Sequence, residues 1–235
     1  MMRISRHIIL AILLVSFSIS VKAKDIYLVY YATINGKSGH VGIAIDNYKI
    51  VIRDSIVEGH TTSKYISIQN NTLTYYDLWP EKDDFNALNV DKNTTGIYYK
   101  LPAASWENSI TVQSLLQKGI PHEEHYPIDG LIRISSPPQK DQQLKKAIEK
   151  LINKNIPFNV RTNNCADFVE AIIEMHCNCS IEAEESIVLR KSTTPNRLYQ
   201  EVSKMENVTI LKDGSEKAKG SFTKERLLKR NNTKP

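Results

Sequence analysis

The sequence predicts an α+β fold built around an antiparallel sheet. Segments rich in β-branched and aromatic residues dominate the first half of the chain, and they follow one another too closely to be joined by helical crossovers. Helical patterns appear mainly in the second half. Antiparallel pairing of neighbouring strands is therefore favoured over a parallel sheet.

The first 23 residues have the order of a secretory signal. A short basic start precedes an apolar run at 8–15, and the segment ends at Val21-Lys22-Ala23. Serines interrupt the apolar residues beyond position 15, whereas a membrane span needs about 20 apolar residues in succession. We therefore expect cleavage before Lys24, a periplasmic or secreted protein, and no integral membrane segment after signal cleavage.

The composition predicts one globular domain at 24–211. Hydrophobic residues make up 41% and charged residues 24% of the chain, which is ordinary for a folded protein. Much of the formal net charge of +5 lies in the signal and at the Lys-rich end, so 212–235 is predicted to be a basic, disordered tail. Because this excess lies outside the domain, a nucleic-acid partner is not expected.

The strands are predicted from β-rich segments bounded by turn residues. Residues 26–31 form the first strand, and 41–45 form the second. Asp46-Asn47 is predicted to turn the chain into a return strand at 49–54, which completes a hairpin. Further strands are expected at 73–79, 97–101 and 130–135.

Two helices are predicted from periodicity and end signals. Leu144, Ile148 and Leu151 recur on one face of an amphipathic segment, and this apolar stripe is expected to face the core, not a cofactor. A shorter helix is predicted at 109–118, where Gly119 suits a left-handed cap.

A third helix is predicted to begin at Cys165. Asn163 or Asn164 can cap it, and Asp167 favours its first turn. Free backbone N–H groups and the positive end of the helix dipole converge at this position, and such an environment stabilises a thiolate nucleophile. The alternative is that Cys165 is a small buried core residue, which is common for a free cysteine.

His40 stands at the start of a predicted strand between Gly39 and Gly42, which permit close approach. Taken alone, a histidine at a strand edge is more often simply exposed. A cysteine at a helix start and a histidine at a strand start together form the nucleophile and base that acyl transfer requires. The pair Cys165 and His40 therefore favours catalysis over a purely structural role.

Two short motifs carry a resemblance to a known superfamily. Residues 39–45 (GHVGIAI) and 164–169 (NCADFV) resemble the histidine and cysteine motifs of the circularly permuted, NlpC-type papain-like hydrolases, which include lecithin retinol acyltransferase-like proteins. In these families the histidine precedes the cysteine in sequence, as it does here. Residues 157–159 and 194–199 are similar to segments of bacterial members, so the resemblance spans roughly 26–199.

The resemblance implies a fold, a reaction and a substrate class. The fold is permuted papain-like, with the nucleophile helix packed on the antiparallel sheet. The reaction is thiol attack on an amide or ester carbonyl, followed by hydrolysis of the acyl-enzyme, with the N–H of Cys165 as one oxyanion donor and no cofactor. Because the protein is predicted to be exported, a peptide or cell-wall substrate such as a peptidoglycan stem peptide is expected.

Members of the superfamily place a polar residue beside the histidine, and the sequence offers Asp54, His60 and Asp77. Asp54 lies on the predicted return strand, but a one-residue slip would turn it to the opposite face. His60 follows a glycine in a polar stretch and is predicted to be in a loop. Asp77 shares a strand face with Tyr75 and Trp79, where a buried carboxylate needs a partner. We therefore predict Asp77 as the third residue.

The other cysteines and histidines do not predict a metal site. A helix from Cys165 to Cys177 would separate the two by about 18 Å, so any disulfide joins Cys177 to Cys179; the alternative is two unpaired thiols. Prolines bracket the histidines at 122–125, which are three apart instead of four and do not match a zinc-protease helix. Residues 175–179 lack a second ligand cluster.

Two classes of function remain after these exclusions. The first is a cysteine peptidase or amidase, with an acyltransferase or thioesterase as a chemical variant. The second is a noncatalytic module that binds the cell envelope and keeps only the fold. The presence of both Cys165 and His40 favours the first class.

Overall fold

The structure is a computed structural model that describes residues 24–34, 37–57, 60–81, 91–101, 109–120, 126–136, 141–187 and 190–221. The predicted signal at 1–23 and the histidines at 122–125 lie outside the described residues.

A six-stranded sheet forms the centre of the molecule. Its strands are β1 (Lys24–Tyr31), β2 (His40–Val57), β3 (His60–Pro80), β4 (Gly96–Leu101), β5 (Gly130–Ser136) and β8 (Val208–Lys212), in the spatial order β4-β3-β2-β1-β5-β8. Every neighbouring pair is antiparallel, as the sequence predicts. A separate two-stranded sheet pairs β6 (Glu184–Ile187) with β7 (Arg190–Thr193).

The predicted hairpin turn at Asp46-Asn47 is wrong, because β2 runs straight through it. The pairing with β3 shifts register between Asp46 and Tyr48, so the position is a bulge. The Asn47 amide donates to the hydroxyl of Thr72 at 3.1 Å and accepts from that of Thr74 at 2.7 Å. These bonds reach across to the neighbouring strand and satisfy the side chain that was expected to support a turn.

Five helices are described: α1 (Val112–Lys118), α2 (Asp141–Asn153), α3 (Cys165–Cys177), α4 (Pro195–Val202) and α5 (Ser215–Ala218). The predicted helix at 109–118 is confirmed from Val112 onward, and Gly119 ends it at a φ of 73°. The amphipathic prediction for α2 is also confirmed, because Leu144 and Ile148 are buried in the core.

Side chains are buried on both faces of the central strands. Along β1, Leu28 and Tyr30 belong to the core that α2, α3 and α4 cover, while Tyr27 and Val29 belong to a second core on the opposite face. Because α3 packs against both β2 and β3, the start of this helix lies near the strands that carry the predicted histidine and aspartate. The fold is thus a mixed α/β structure around an antiparallel sheet.

The first part of the predicted tail is ordered. Residues 212–221 include the end of β8 and all of α5, and Ala218 is fully buried. The Asn196 amide donates to the carbonyl oxygen of Gly220 at 2.6 Å, which ties this segment to α4. Alternating and helical apolar positions were too few here for the sequence to reveal the packing. The remainder of the predicted tail, 222–235, is outside the described residues.

Within the parts of the chain that the structure describes, no helix has the length and apolar character needed to cross a membrane.

Candidate active site

Asn164 determines where α3 begins. Its Oδ1 accepts from the N–H groups of Ala166 at 2.6 Å and Asp167 at 3.2 Å, while Asp167 Oδ2 accepts from the Asn164 N–H at 2.8 Å. This reciprocal capping box fixes the first helical residue as Cys165. The sequence prediction of a helix that opens at the cysteine is therefore confirmed, with Asn164 as the cap.

The cap leaves one backbone N–H group at the start of α3 without a hydrogen bond to Asn164. The Phe168 N–H bonds to the carbonyl oxygen of Asn164, and the cap takes the next two N–H groups toward the helix start. No acceptor among the described residues takes the N–H of Cys165. Unsatisfied N–H groups at a helix start attract negative charge, so this donor is available for an oxyanion.

His40 and Asp77 are joined in the protein interior. His40 Nε2 lies 2.9 Å from Asp77 Oδ2, and the two residues are 4% and 0% exposed. At these exposures water cannot separate the two groups. The structure thus places Asp77 beside the histidine, where the sequence analysis expects the third residue.

The other two candidates lie elsewhere. Asp54 is exposed, pairs across the strands with Ser63 and accepts a 2.6 Å hydrogen bond from its hydroxyl. Fourteen positions separate it from His40 on one strand, which is about 45 Å at the usual rise per residue. The loop prediction for His60 is wrong, because this residue begins β3, where it pairs with Val57 beyond Asp54 on β2. Neither residue can orient the imidazole.

Asp77 Oδ2 also binds two aromatic side chains. The Tyr75 hydroxyl and Trp79 Nε1 each donate to it at 2.9 Å. Residues i, i+2 and i+4 of a strand point to one face, which brings the phenol and the indole alongside the carboxylate. The sequence predicts that the three side chains share a strand face. Only the structure shows that both donors bind the same carboxylate oxygen. The pKa of Tyr75 is raised well above its usual value by burial and by the charge of Asp77.

Gly42 provides the space that this network needs. A Cβ atom at this position would collide with the hydroxyl and ring of Tyr75. Any larger residue would therefore displace the phenol that donates to Asp77. Gly42 of the GHVGIAI motif thus contributes to the site by leaving room for the Tyr75 ring.

A second glycine shapes the loop before the histidine. Gly39 has a φ of 69°, and a Cβ atom there would collide with Thr33. Thr33 in turn donates from its hydroxyl to the carbonyl oxygen of Ser38 at 2.8 Å, and its N–H donates to Asn196 Oδ1 at the same distance. These contacts fix the backbone immediately before His40.

The Trp79 indole restricts the imidazole of His40. The two rings are stacked, with 4.1 Å between centroids and 30° between planes. Together with the bond to Asp77, this contact holds Nε2 toward the carboxylate. Nδ1 is consequently the ring nitrogen left to interact with Cys165.

Cys165 and His40 line the same cavity, and the cysteine affects the pKa of the imidazole. Burial alone would lower the pKa of His40. The negative charge of Cys165 and the hydrogen bonds to Asp77 and Cys165 outweigh it, so the pKa of His40 is raised above its ordinary value. The raised pKa favours the imidazolium form of His40.

Both residues line one cavity of about 200 Å³. Its polar lining includes Ser38 and Thr193, and most of the remaining wall is apolar. Ser38 is partly exposed, and its hydroxyl makes no hydrogen bond to any described residue. Ser38 was not predicted from the sequence, although a hydroxyl two residues before His40 could have identified it as a candidate site residue.

Two carboxyl groups lie along α3 behind the cysteine. Burial raises the pKa of Asp167 to about 6 and that of Glu170 to about 7, against hydrogen bonds that lower both. Thr193 donates from its hydroxyl to Glu170 Oε2 at 2.9 Å. This bond connects the helix to a residue of the cavity wall.

Cys177 and Cys179 form a disulfide, which confirms the predicted pairing, and Cys165 is a free, buried thiol. In the described portion of the chain, no cluster of three or more His, Cys, Asp or Glu side chains is arranged to hold a metal ion.

No protein-family model, curated protein or solved structure to which the chain was compared matches it.

Proposed function

We propose that this chain is an exported cysteine hydrolase that cleaves an amide or ester bond through a Cys165 acyl-enzyme. One observation carries the proposal: Asp77 holds Nε2 of a buried His40 that lines the same cavity as a helix-start cysteine. A purely structural cysteine needs neither an imidazole beside it nor a carboxylate behind that imidazole. The arrangement supplies a nucleophile, a base and an orienting group.

The reaction proceeds in two balanced steps. The Cys165 thiolate forms a bond to the carbonyl carbon, and the leaving amine or alcohol departs with the proton of the His40 imidazolium. Water then attacks the thioester while His40 takes one of its protons. The bond between the carbonyl carbon and the Cys165 sulfur then breaks and the carboxylic acid leaves, and the released thiolate either stays paired with the imidazolium or takes its proton.

Negative charge develops on the carbonyl oxygen in both steps. The N–H of Cys165 supplies one hydrogen bond to this oxyanion, since no described acceptor takes it. We assign the second hydrogen bond to the Ser38 hydroxyl. Ser38 lines the same cavity, and its hydroxyl is not engaged by any described residue.

We further propose that the fold is a circularly permuted, NlpC-type papain-like fold. The order of the elements supports it: the strand that carries His40 precedes the helix that begins at Cys165, and this helix packs on β2 and β3 of an antiparallel sheet. Asp77 lies on β3, next to the histidine strand.

Export is proposed from the signal-like first 23 residues, and the disulfide adds support. Disulfides persist in oxidising compartments such as the bacterial periplasm, and they are rare in the cytosol. The bond between Cys177 and Cys179 is consistent with such a location. Outside the cytoplasm, amide bonds of cell-wall peptides are one available substrate class.

The competing proposal is a noncatalytic module that binds the cell envelope. The two are separated by incubating the mature chain from Lys24 with purified cell-wall fragments and with a panel of activated esters. Turnover that is lost in Cys165→Ala and in His40→Ala supports the hydrolase. Binding without turnover, unaffected by either substitution, supports the noncatalytic module.

A further inference from the structure

The cavity beside Cys165 has largely apolar walls. Of the apolar lining residues, six come from three parts of the chain: Leu78, Trp79 and Pro80 at the end of β3, Phe158 and Val160 before α3, and Ile187 at the end of β6. Four of them, all except Trp79 and Pro80, are 9% exposed or less. Walls of this kind favour an apolar ligand, because binding removes apolar surface from water.

The polar lining residues have their side chains occupied by the protein. The Asn164 amide donates to two backbone carbonyls and accepts from the α3 cap. The Thr193 hydroxyl donates to Glu170, and the Thr194 hydroxyl accepts from the N-terminal turn of α4. Ser38 is the exception, and its hydroxyl is assigned to the oxyanion.

Among the described residues, the lining offers no counter-charge for an ionic substrate. No Lys, Arg, Asp or Glu side chain is among the described residues that line the cavity. The imidazole of His40 is already held by Asp77. A substrate carboxylate placed here would lose its hydration without gaining a partner, which is strongly unfavourable.

We propose that this cavity binds an uncharged, apolar acyl group on the carbonyl side of the scissile bond, and that it disfavours an acyl group that carries a carboxylate. The inference rests on the proposed function for its chemistry, since the acyl group is the part of the substrate that becomes linked to the Cys165 sulfur. It narrows the substrate class to apolar acyl esters, thioesters or amides.

A matched series of p-nitrophenyl esters tests the acyl preference. Acetyl, butyryl and hexanoyl esters differ only in chain length, and the mono-adipoyl ester has the hexanoyl length with a terminal carboxylate. Each buried methylene should raise kcat/KM about threefold to fourfold. The hexanoyl ester should exceed the adipoyl ester by about a hundredfold. Equal rates, or a faster adipoyl ester, would overturn the proposal.

Alkylation of Cys165 tests the cavity without requiring turnover. N-hexylmaleimide and 6-maleimidohexanoic acid differ in the terminal carboxylate, and their second-order rate constants are measured on the folded protein. A tenfold or greater preference for the hexyl reagent supports the apolar cavity. If this preference is found but no ester is hydrolysed, the hydrolase proposal fails while the inference about the cavity stands.

A charge introduced into the wall should reverse the selectivity. Ile187→Lys places an ammonium group in the lining, so the ratio of hexanoyl to adipoyl rates should fall at least tenfold. Ile210→Lys is the matched control, because Ile210 is 44% exposed on the edge strand β8 and does not line the cavity. An unchanged ratio in a folded Ile187→Lys protein would contradict the assignment of the wall. If that variant does not fold, the unmodified protein with both reagent series still decides the proposal.

Discussion

The hydroxyl of Tyr75 donates a 2.9 Å hydrogen bond to Asp77, on the same carboxylate oxygen that lies 2.9 Å from the imidazole of His40. The phenol reaches this oxygen because Gly42 has no side chain in its path. Gly42, a residue of the histidine motif, thus affects Asp77 indirectly, because it leaves room for the Tyr75 side chain that binds the carboxylate.

Replacing Asp77 should disable the histidine without unfolding the protein. In Asp77→Asn the amide can still accept a hydrogen bond but no longer stabilises the imidazolium, so kcat/KM should fall about 10³-fold or more. Steady-state kinetics on a reactive ester measures the loss. Asp54→Asn is the control, because Asp54 is exposed and remote. Full activity in Asp77→Asn, with loss in Asp54→Asn, would show that the wrong residue was assigned.

Gly42 and Tyr75 should differ in the kind of damage that their substitution causes. Tyr75→Phe removes one donor to a buried carboxylate, so we expect a loss of about 1–3 kcal/mol in the free energy of unfolding and roughly tenfold in kcat. Gly42→Ala forces the ring out of its position and should lose nearly all activity. Urea unfolding and ester turnover are measured in parallel. Wild-type activity in Gly42→Ala would mean that the phenol position does not matter.

Ser38 should affect the chemical step but not the nucleophile. Removing one oxyanion donor typically lowers kcat by about 10²–10³-fold. Ser38→Ala should show such a loss, while its iodoacetamide alkylation rate at Cys165 stays at the wild-type value because alkylation forms no oxyanion. Ser38→Thr keeps a hydroxyl and should recover part of the activity. If Ser38→Ala turns over normally, the second donor lies elsewhere.

The raised pKa of His40 predicts the alkaline side of the pH profile. The imidazolium persists above the ordinary histidine pKa of about 6.5. Both kcat/KM and the stabilising ion pair between His40 and Asp77 should therefore be retained at neutral pH and lost only as the pH rises through the raised pKa of His40. In Asp77→Asn one stabilising contact is gone, so the alkaline limb should move to lower pH. A wild-type limb near 6.5, or one that Asp77→Asn does not shift, would contradict the assigned environment.

Local signals predicted the parts of the site that depend on neighbours in sequence. The Asn164 cap, the start of α3 and the shared strand face of Tyr75, Asp77 and Trp79 follow from helix capping and strand alternation. Strand alternation predicted that Asp77 lies on one strand face with two aromatic residues. Because burying a lone carboxylate is costly, this position indicated a charged partner such as His40.

Contacts between distant segments explain what the sequence could not reveal. Asp46-Asn47 has the composition of a turn, but the Asn47 amide bonds to threonines 25 and 27 positions later, so the strand continues. The role of Gly42 depends on Tyr75, which is brought to it only by the pairing of β2 with β3. Ser38 lies on a loop that Thr33 holds through a local hydrogen bond, and Thr33 is in turn bonded to the distant Asn196.

Capture of the acyl-enzyme tests the catalytic role of Cys165 most directly. The mature protein is mixed with an excess of p-nitrophenyl hexanoate, quenched in acid within milliseconds to seconds, and analysed by intact-mass and peptide mass spectrometry. We predict a hexanoyl mass increase on the peptide that contains Cys165, which decays as product forms, is absent in Cys165→Ala and accumulates far more slowly in His40→Ala. An unmodified Cys165 during turnover, or an adduct that forms equally fast in His40→Ala, would contradict a Cys165 nucleophile activated by His40.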